Sequence, residues 1–307
     1  MAHPHLGWVV FWMTGAVFSF CASAVAIREL ARALNVAEIL SIRSGLGILI
    51  LLALIAARPD LRAEIVPRHM GLHLTRNATH FVGQYAWALA VTLLPLATVF
   101  ALEFTMPAWV AILAVAMLGE RMTVARAGSV ALGFLGVLVI VRPGLASFQP
   151  VSLVVLFAAL IFAFSLIATK QLTNRVSAFS VVFWMNAMQL PMALAWPAAA
   201  AVTGGPPLFV TRLSLDLVLP MLLLGAVGLS SHFCLSKAFA SGEASIVVPI
   251  DFMRLPLIAI VGWVLYGESL DAFVFAGAGL IIVGVLWNLR AETKRPHAPS
   301  SARSADA

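Results

Sequence analysis

Residues 102–120 read LEFTMPAWVAILAVAMLGE and residues 250–268 read IDFMRLPLIAIVGWVLYGE. Laid over one another, Leu102-Glu103-Phe104 falls on Ile250-Asp251-Phe252 and Gly119-Glu120 on Gly267-Glu268, an offset of 148. The same offset carries Gly136-Val137-Leu138 onto Gly284-Val285-Leu286. Each match alone is weak; three at one offset indicate a duplicated chain. Earlier in the halves, His80-Phe81 pairs with His232-Phe233 once a turn is allowed to differ by four residues.

Both copies are too apolar for a water-facing surface. The chain has 307 residues, 62% of them hydrophobic and 10% charged, with a mean hydropathy of +1.02. A soluble domain carries about 25% charged residues. Ten apolar runs emerge: Gly7–Ile27, Ala37–Ala57, His73–Leu93, Ala97–Leu118, Val124–Val141, Val151–Gln171, Ala178–Ala201, Leu217–Phe239, Ala244–Tyr266 and Ala272–Leu289. About 20 mostly apolar residues cross the hydrocarbon core as a helix. A bilayer offers the backbone no other hydrogen-bond partner, so each run is expected to be helical. Strict two-residue alternation, the mark of a membrane barrel, is absent. The first run has small residues at Ala22, Ala24 and Ala26, but no Lys or Arg precedes it, so it is expected to stay as an uncleaved helix.

The expected fold is an all-α polytopic membrane protein: ten transmembrane helices forming two five-helix repeats around a central cavity. Residues 1–149 hold helices 1–5, residues 150–290 hold helices 6–10, and residues 291–307 form a disordered cytoplasmic tail. Five spans is an odd number, so the second copy enters the membrane upside down, an arrangement suited to alternating access. With the N-terminus in the cytoplasm, twelve Lys and Arg lie on that side and four outside. That bias places both termini in the cytoplasm. Topology therefore accounts for the net charge of +6 without nucleic acid. Cys21 and Cys234 lie in apolar runs without ligand spacing and read as packing residues.

Leu94-Pro95-Leu96-Ala97 through Gly119-Glu120-Arg121, and Gly242-Glu243-Ala244-Ser245 through Gly267-Glu268, resemble the signature segments of the EamA-type branch of the drug/metabolite transporter superfamily. The resemblance covers residues 7–290. It implies inverted repeats and a cavity built mostly from helices 1–4 and 6–9. Members move amino acids, S-adenosylmethionine and other metabolites, and this chain looks most like bacterial inner-membrane exporters of aromatic amino acids. The implied function is export of amino acids, aromatic ones included; the rival reading is uptake of another metabolite such as S-adenosylmethionine.

Ionisable groups deep in a membrane usually face a cavity or a partner. Glu103 and Arg43 sit at similar depth and are expected to act as a gate or an ion pair. Asp251 and Arg254, three residues apart, share a helix face, and Lys237 lies within plausible reach of Asp251. In that reading Arg254 holds a substrate carboxylate, and Asp251 with Lys237 neutralises it when the cavity is empty. His73, Asn77, His80, Gln84 and Trp87 fall on one face of the third helix, with Arg76 and Tyr85 beside it. His80, Gln84, Tyr85, Trp109, Trp184 and His232 join Arg254 as candidate substrate-binding residues, since rings and amides together suit an amphipathic ligand. The polar stripe is expected to line the cavity, with interhelical glue as the alternative, whereas close helix packing explains Gly15, Ser19 and Ser23 without a ligand. No P-loop, hydrolase elbow, HExxH or metal cluster occurs, so an enzyme, a cofactor and a metal are not expected. The expected partners are a small-molecule substrate and the lipid bilayer; a monomer is compatible with the sequence.

Overall fold

The computed structural model describes residues 6–118, 122–143, 145, 148–173, 175–202, 213–241, 247 and 250–293. Among these are eleven α-helices and a short 3-10 turn, Pro59–Glu64. The helices are α1 (Leu6–Leu30), α2 (Val36–Ala57), α3 (Met70–Leu93), α4 (Leu96–Glu103), α5 (Met106–Leu118) and α6 (Val124–Val141). They continue as α7 (Ser152–Thr173), α8 (Ala178–Val202), α9 (Leu215–Ser241), α10 (Arg254–Tyr266) and α11 (Ala272–Thr293).

Local chemistry sets several boundaries. Asn35 and Glu38 form a reciprocal capping box that starts α2. Pro107 has no N–H and crowds the preceding turn, so the fourth apolar run breaks into α4 and α5. Phe104 and Thr105 occupy the break, and the Thr105 hydroxyl donates to Leu102 O at 2.7 Å. At the end of α10, Gly267 takes a left-handed φ of 63°, which a side chain would strain.

Eight helical spans among the described residues are long and apolar enough to cross a membrane, counting α4 and α5 as one. The ten expected spans are thus not all recovered by length and composition. The polar stripe makes α3 too hydrophilic despite its 24 residues, and α10 has only 13. Outward faces carry large apolar side chains such as Leu52, Leu138, Leu219 and Trp263. In lipid these need no further cover.

The helices pair across the halves. The main contacts are α1 with α9, α6 with α11, α3 with α7 and α2 with α8; α2 also meets α9, α5 meets α7, and α4 meets α10. Small residues allow the close approaches. Ser19 and Ser230 share a hydrogen bond of 2.6 Å, and a Cβ on Gly15 would lie 3.0 Å from Cys234 Sγ. Cys21 and Cys234 are free thiols. Between α6 and α11 a Cβ on Gly136 would meet Gly277 O at 2.5 Å, and one on Gly277 would meet Gly136 O at 2.5 Å.

Candidate functional site

Polar side chains converge where the halves cross. Most come from α3, whose face of Leu74, Val82 and Tyr85 looks outward while His73, Arg76, Asn77, His80 and Gln84 are buried. At one end of this column, Arg76 Nε donates to Thr169 Oγ1 at 3.0 Å and its Nη1 to Asn77 Oδ1 at 2.8 Å. Asn77 Nδ2 in turn donates to Trp184 O at 3.2 Å. In the middle, Gln189 Nε2 lies 2.9 Å from His80 Nδ1, and the His80 and His232 rings are 5.4 Å apart. At the other end, Arg43 donates to Gly228 O at 3.3 Å and to Gln84 Oε1 at 3.4 Å. Turning the Gln84 amide over brings its oxygen to 3.0 Å from Arg43 Nη1 and its nitrogen to 3.2 Å from Gln189 Oε1. The column then runs unbroken from Gly228 through Arg43, Gln84 and Gln189 to His80. A Cβ on Gly228 would lie 2.9 Å from Arg43 Nε, so glycine leaves the arginine its path.

A second cluster surrounds Arg254 at the start of α10. Its Nη2 donates to Asp251 Oδ2 at 2.6 Å and its Nη1 to Glu103 Oε1 at 3.4 Å. Trp87 Nε1 donates to Glu103 Oε2 at 2.8 Å. The guanidinium also lies over the rings of Phe20, Phe104 and Phe100, at 4.7, 5.2 and 5.8 Å. Residues that the 148 offset aligns therefore meet in space: Glu103 and Asp251 hold one guanidinium, and the Phe104 and Phe252 rings stand 5.0 Å apart, edge to face.

A clasp lies beyond this cluster, at the C-terminal ends of α1, α3 and α10. Arg28 pairs with Glu268 and donates to the carbonyls of Val91 and Leu94. Glu268 Oε2 accepts from the Leu96 N–H at 2.8 Å. Tyr266 donates to Glu29 at 2.9 Å, and Arg142 pairs with Asp271 at 2.5 Å. The Gly-Glu of the second signature segment thus turns the chain and fastens that end; Gly119-Glu120-Arg121 and residues 242–245 lie outside the described residues.

Several sequence expectations need correction. Arg43 and Glu103 do not pair: α2 turns Arg43 toward α3 and α9, and Glu103 faces Arg254. Lys237 is exposed, with its ammonium 5.5 Å from the Phe233 ring, and does not reach Asp251. Tyr85 is 39% exposed on the outward face of α3, one residue and thus a helical step of about 100° from Gln84. Trp109 lies beside Phe134 in a crevice of about 10 Å³ shared by α5, α6 and α7, away from the column. His80, Gln84 and His232 lie in one column, Gln84 reaching His80 through Gln189, and Trp184 joins them through Asn77. Arg76 was missed as a site residue because it stands near the start of its helix and counts as a loop charge. Its place beside the stripe, four residues before His80, is the available signal. Among the described residues, no group of three His, Cys, Asp or Glu could hold a metal ion.

Comparison with known proteins gives a consistent set. The model of a family described as "EamA-like transporter family" matches residues 7–142 and again residues 149–290. A riboflavin transporter of Rhizobium johnstonii is 29% identical over 230 residues, covering 74% of this chain and 73% of its own length. An S-adenosylmethionine uptake transporter of Rickettsia prowazekii is 29% identical over 227 residues, 73% of each chain. The pseudopaline exporter CntI of Pseudomonas aeruginosa is 28% identical over 275 residues, 88% of this chain and 92% of its own. A solved protein structure superposes with a TM-score of 0.62 at 15% identity, over 94% of this chain and 99% of its own, a likeness of fold.

Proposed function

We propose, from the premise that the chain belongs to the EamA-like transporter family, that it is a secondary carrier exporting amino acids, aromatic ones included, across a bacterial inner membrane. The observation that carries the reading is the buried polar column, built by α2 and α3 of one half and α8 and α9 of the other. Buried polar groups spanning the junction of two halves are what a carrier exposes alternately to its two sides. His80, Gln84, Trp184 and His232 contact substrate. Arg254, already neutralised by Asp251 and Glu103, serves as a latch between the end of α4 and the start of α10 instead of a substrate ligand.

Two inverted five-helix repeats, residues 1–149 and 150–290, form the carrier, with α3 and α10 completing ten spans and both termini cytoplasmic. Support for the repeat comes from α6 and α11. Gly136 faces Gly277, and a Cβ on Gly284 would lie 3.0 Å from Ser129 O. A shift of 148 turns Gly136 into Gly284 and Ser129 into Gly277, so one contact becomes the other. In this frame the Arg28–Glu268 clasp closes the periplasmic end.

The second reading, uptake of a larger metabolite, is favoured by the relatives named for riboflavin and S-adenosylmethionine. A counterflow screen in proteoliposomes decides between them. Labelled phenylalanine, tyrosine and other amino acids are expected to exchange. Exchange of riboflavin or S-adenosylmethionine alone would select the second reading, and no flux of any solute would reject both.

A further inference from the structure

Arg43 and Arg76 are 6% and 5% exposed, yet among the described residues their hydrogen-bond acceptors are all neutral: Gln84 and Gly228 O for one, Thr169 and Asn77 for the other. Among the described residues, no carboxylate lies within ion-pair distance of either, while Glu103, Asp251, Glu268 and Asp271 are each engaged by another arginine. The His80 and His232 rings, 5.4 Å apart, stand on the same column between Arg76 and Arg43, which thus carries two guanidiniums and, among the described residues, no carboxylate to offset them. A buried charge without a partner is strongly destabilising, far more so than a pair. One helical turn from Arg76, both ring nitrogens of the fully buried His73 lack a hydrogen-bond partner among the described residues, as does the buried Nε1 of Trp184, 6.3 Å away ring to ring. These atoms are unspent polar capacity in the same column.

We propose that the column is an anion site, and that Arg43 and Arg76 supply the charge for a carboxylate- or phosphate-bearing metabolite lodged between them. His80 and His232 lie between the arginines, and His73 and Trp184 provide donors at one end. A zwitterionic amino acid offsets one guanidinium; an acidic amino acid, a dicarboxylate or a phosphate ester offsets both. The empty column is the costly state, so return without an anion is slow and the carrier works by exchange. The transport half of this statement rests on the carrier reading above; the anion site does not.

The test pairs each acid with an uncharged or amidated counterpart: glutamate with glutamine, succinate with succinamide, glycerol phosphate with glycerol. Counterflow in proteoliposomes and melting of the purified protein are measured for the wild type, Arg43→Gln and Arg76→Gln, with variant folding checked by size exclusion. The expected result is a preference for the acid of about tenfold or more, the worth of one charge-assisted hydrogen bond, collapsing in either variant. Equal handling of acid and neutral partner, or an intact preference in both folded variants, overturns the anion site and leaves the carrier. Should a variant misfold, the wild-type comparison of acid with amide still decides. A saturable melting shift with an acid and not its partner, without flux, upholds the site and overturns the carrier. Neither flux nor a selective shift with any pair overturns both.

Discussion

Arg254 stands in contrast to Arg43 and Arg76, because its charge is met twice over by Asp251 and Glu103. Removing one partner from a buried ionic cluster costs about 3–5 kcal/mol, since it strands the charge left behind. Arg254→Met, which strands two carboxylates, is therefore expected to lower the melting temperature sharply and to broaden the size-exclusion peak. Adding Asp251→Asn and Glu103→Gln removes the stranded charges and should recover most of the loss; a triple variant as unstable as the single one would refute the electrostatic account. The sequence displayed these residues as ionisable groups in apolar runs, but it gave their depth and not their direction. Depth alone matched Glu103 to Arg43 and Lys237 to Asp251. The observed partners depend on which helix faces which, information that only the assembled bundle contains.

Glycine decides how near α6 and α11 come, and backbone oxygen is what a new side chain would strike. Backbone cannot rotate away, so Gly136→Ala is expected to destabilise by about 1–3 kcal/mol through overpacking. Gly279→Ala on the same α11 has nothing within 4 Å of its added Cβ and should be neutral or slightly stabilising. Equal melting temperatures for the two variants would mean that the seam is looser than its geometry. At this scale part of the architecture is readable: apolar length marks eight of the ten expected runs as long enough to cross, and a proline inside a run, Pro107, marks where a helix can kink. Whether the kink would be a bend or a full break was not readable, because that depends on Phe104, Thr105 and the facing α10. The stripe on α3 was legible for a physical reason, since its period matches the helix and five polar or amphipathic residues fall on one face. Tyr85 neighbours the stripe in sequence, but its angle on the helix turns it outward.

For the molecule as a whole, orientation decides which loops face the cytoplasm. Single cysteines at Ala63, in the turn after α2, and at Ser214, just before α9, are expected to react with impermeant maleimide from opposite sides once Cys21 and Cys234 are replaced by Ala. Reaction of both from the same side would reject the ten-span arrangement with cytoplasmic termini. The pairing of helices across the halves has one more consequence. The Gly136–Gly277 and Ser129–Gly284 contacts exchange under a single shift along the chain, so each half offers its neighbour the same patch that it receives. That is the geometry of an isologous interface, ordinarily met between identical subunits, here folded into one polypeptide. Its substitutions are therefore linked in twos: enlarging position 136 presses on 277, enlarging 277 presses on 136, and their effects fall on one shared surface rather than adding as independent ones.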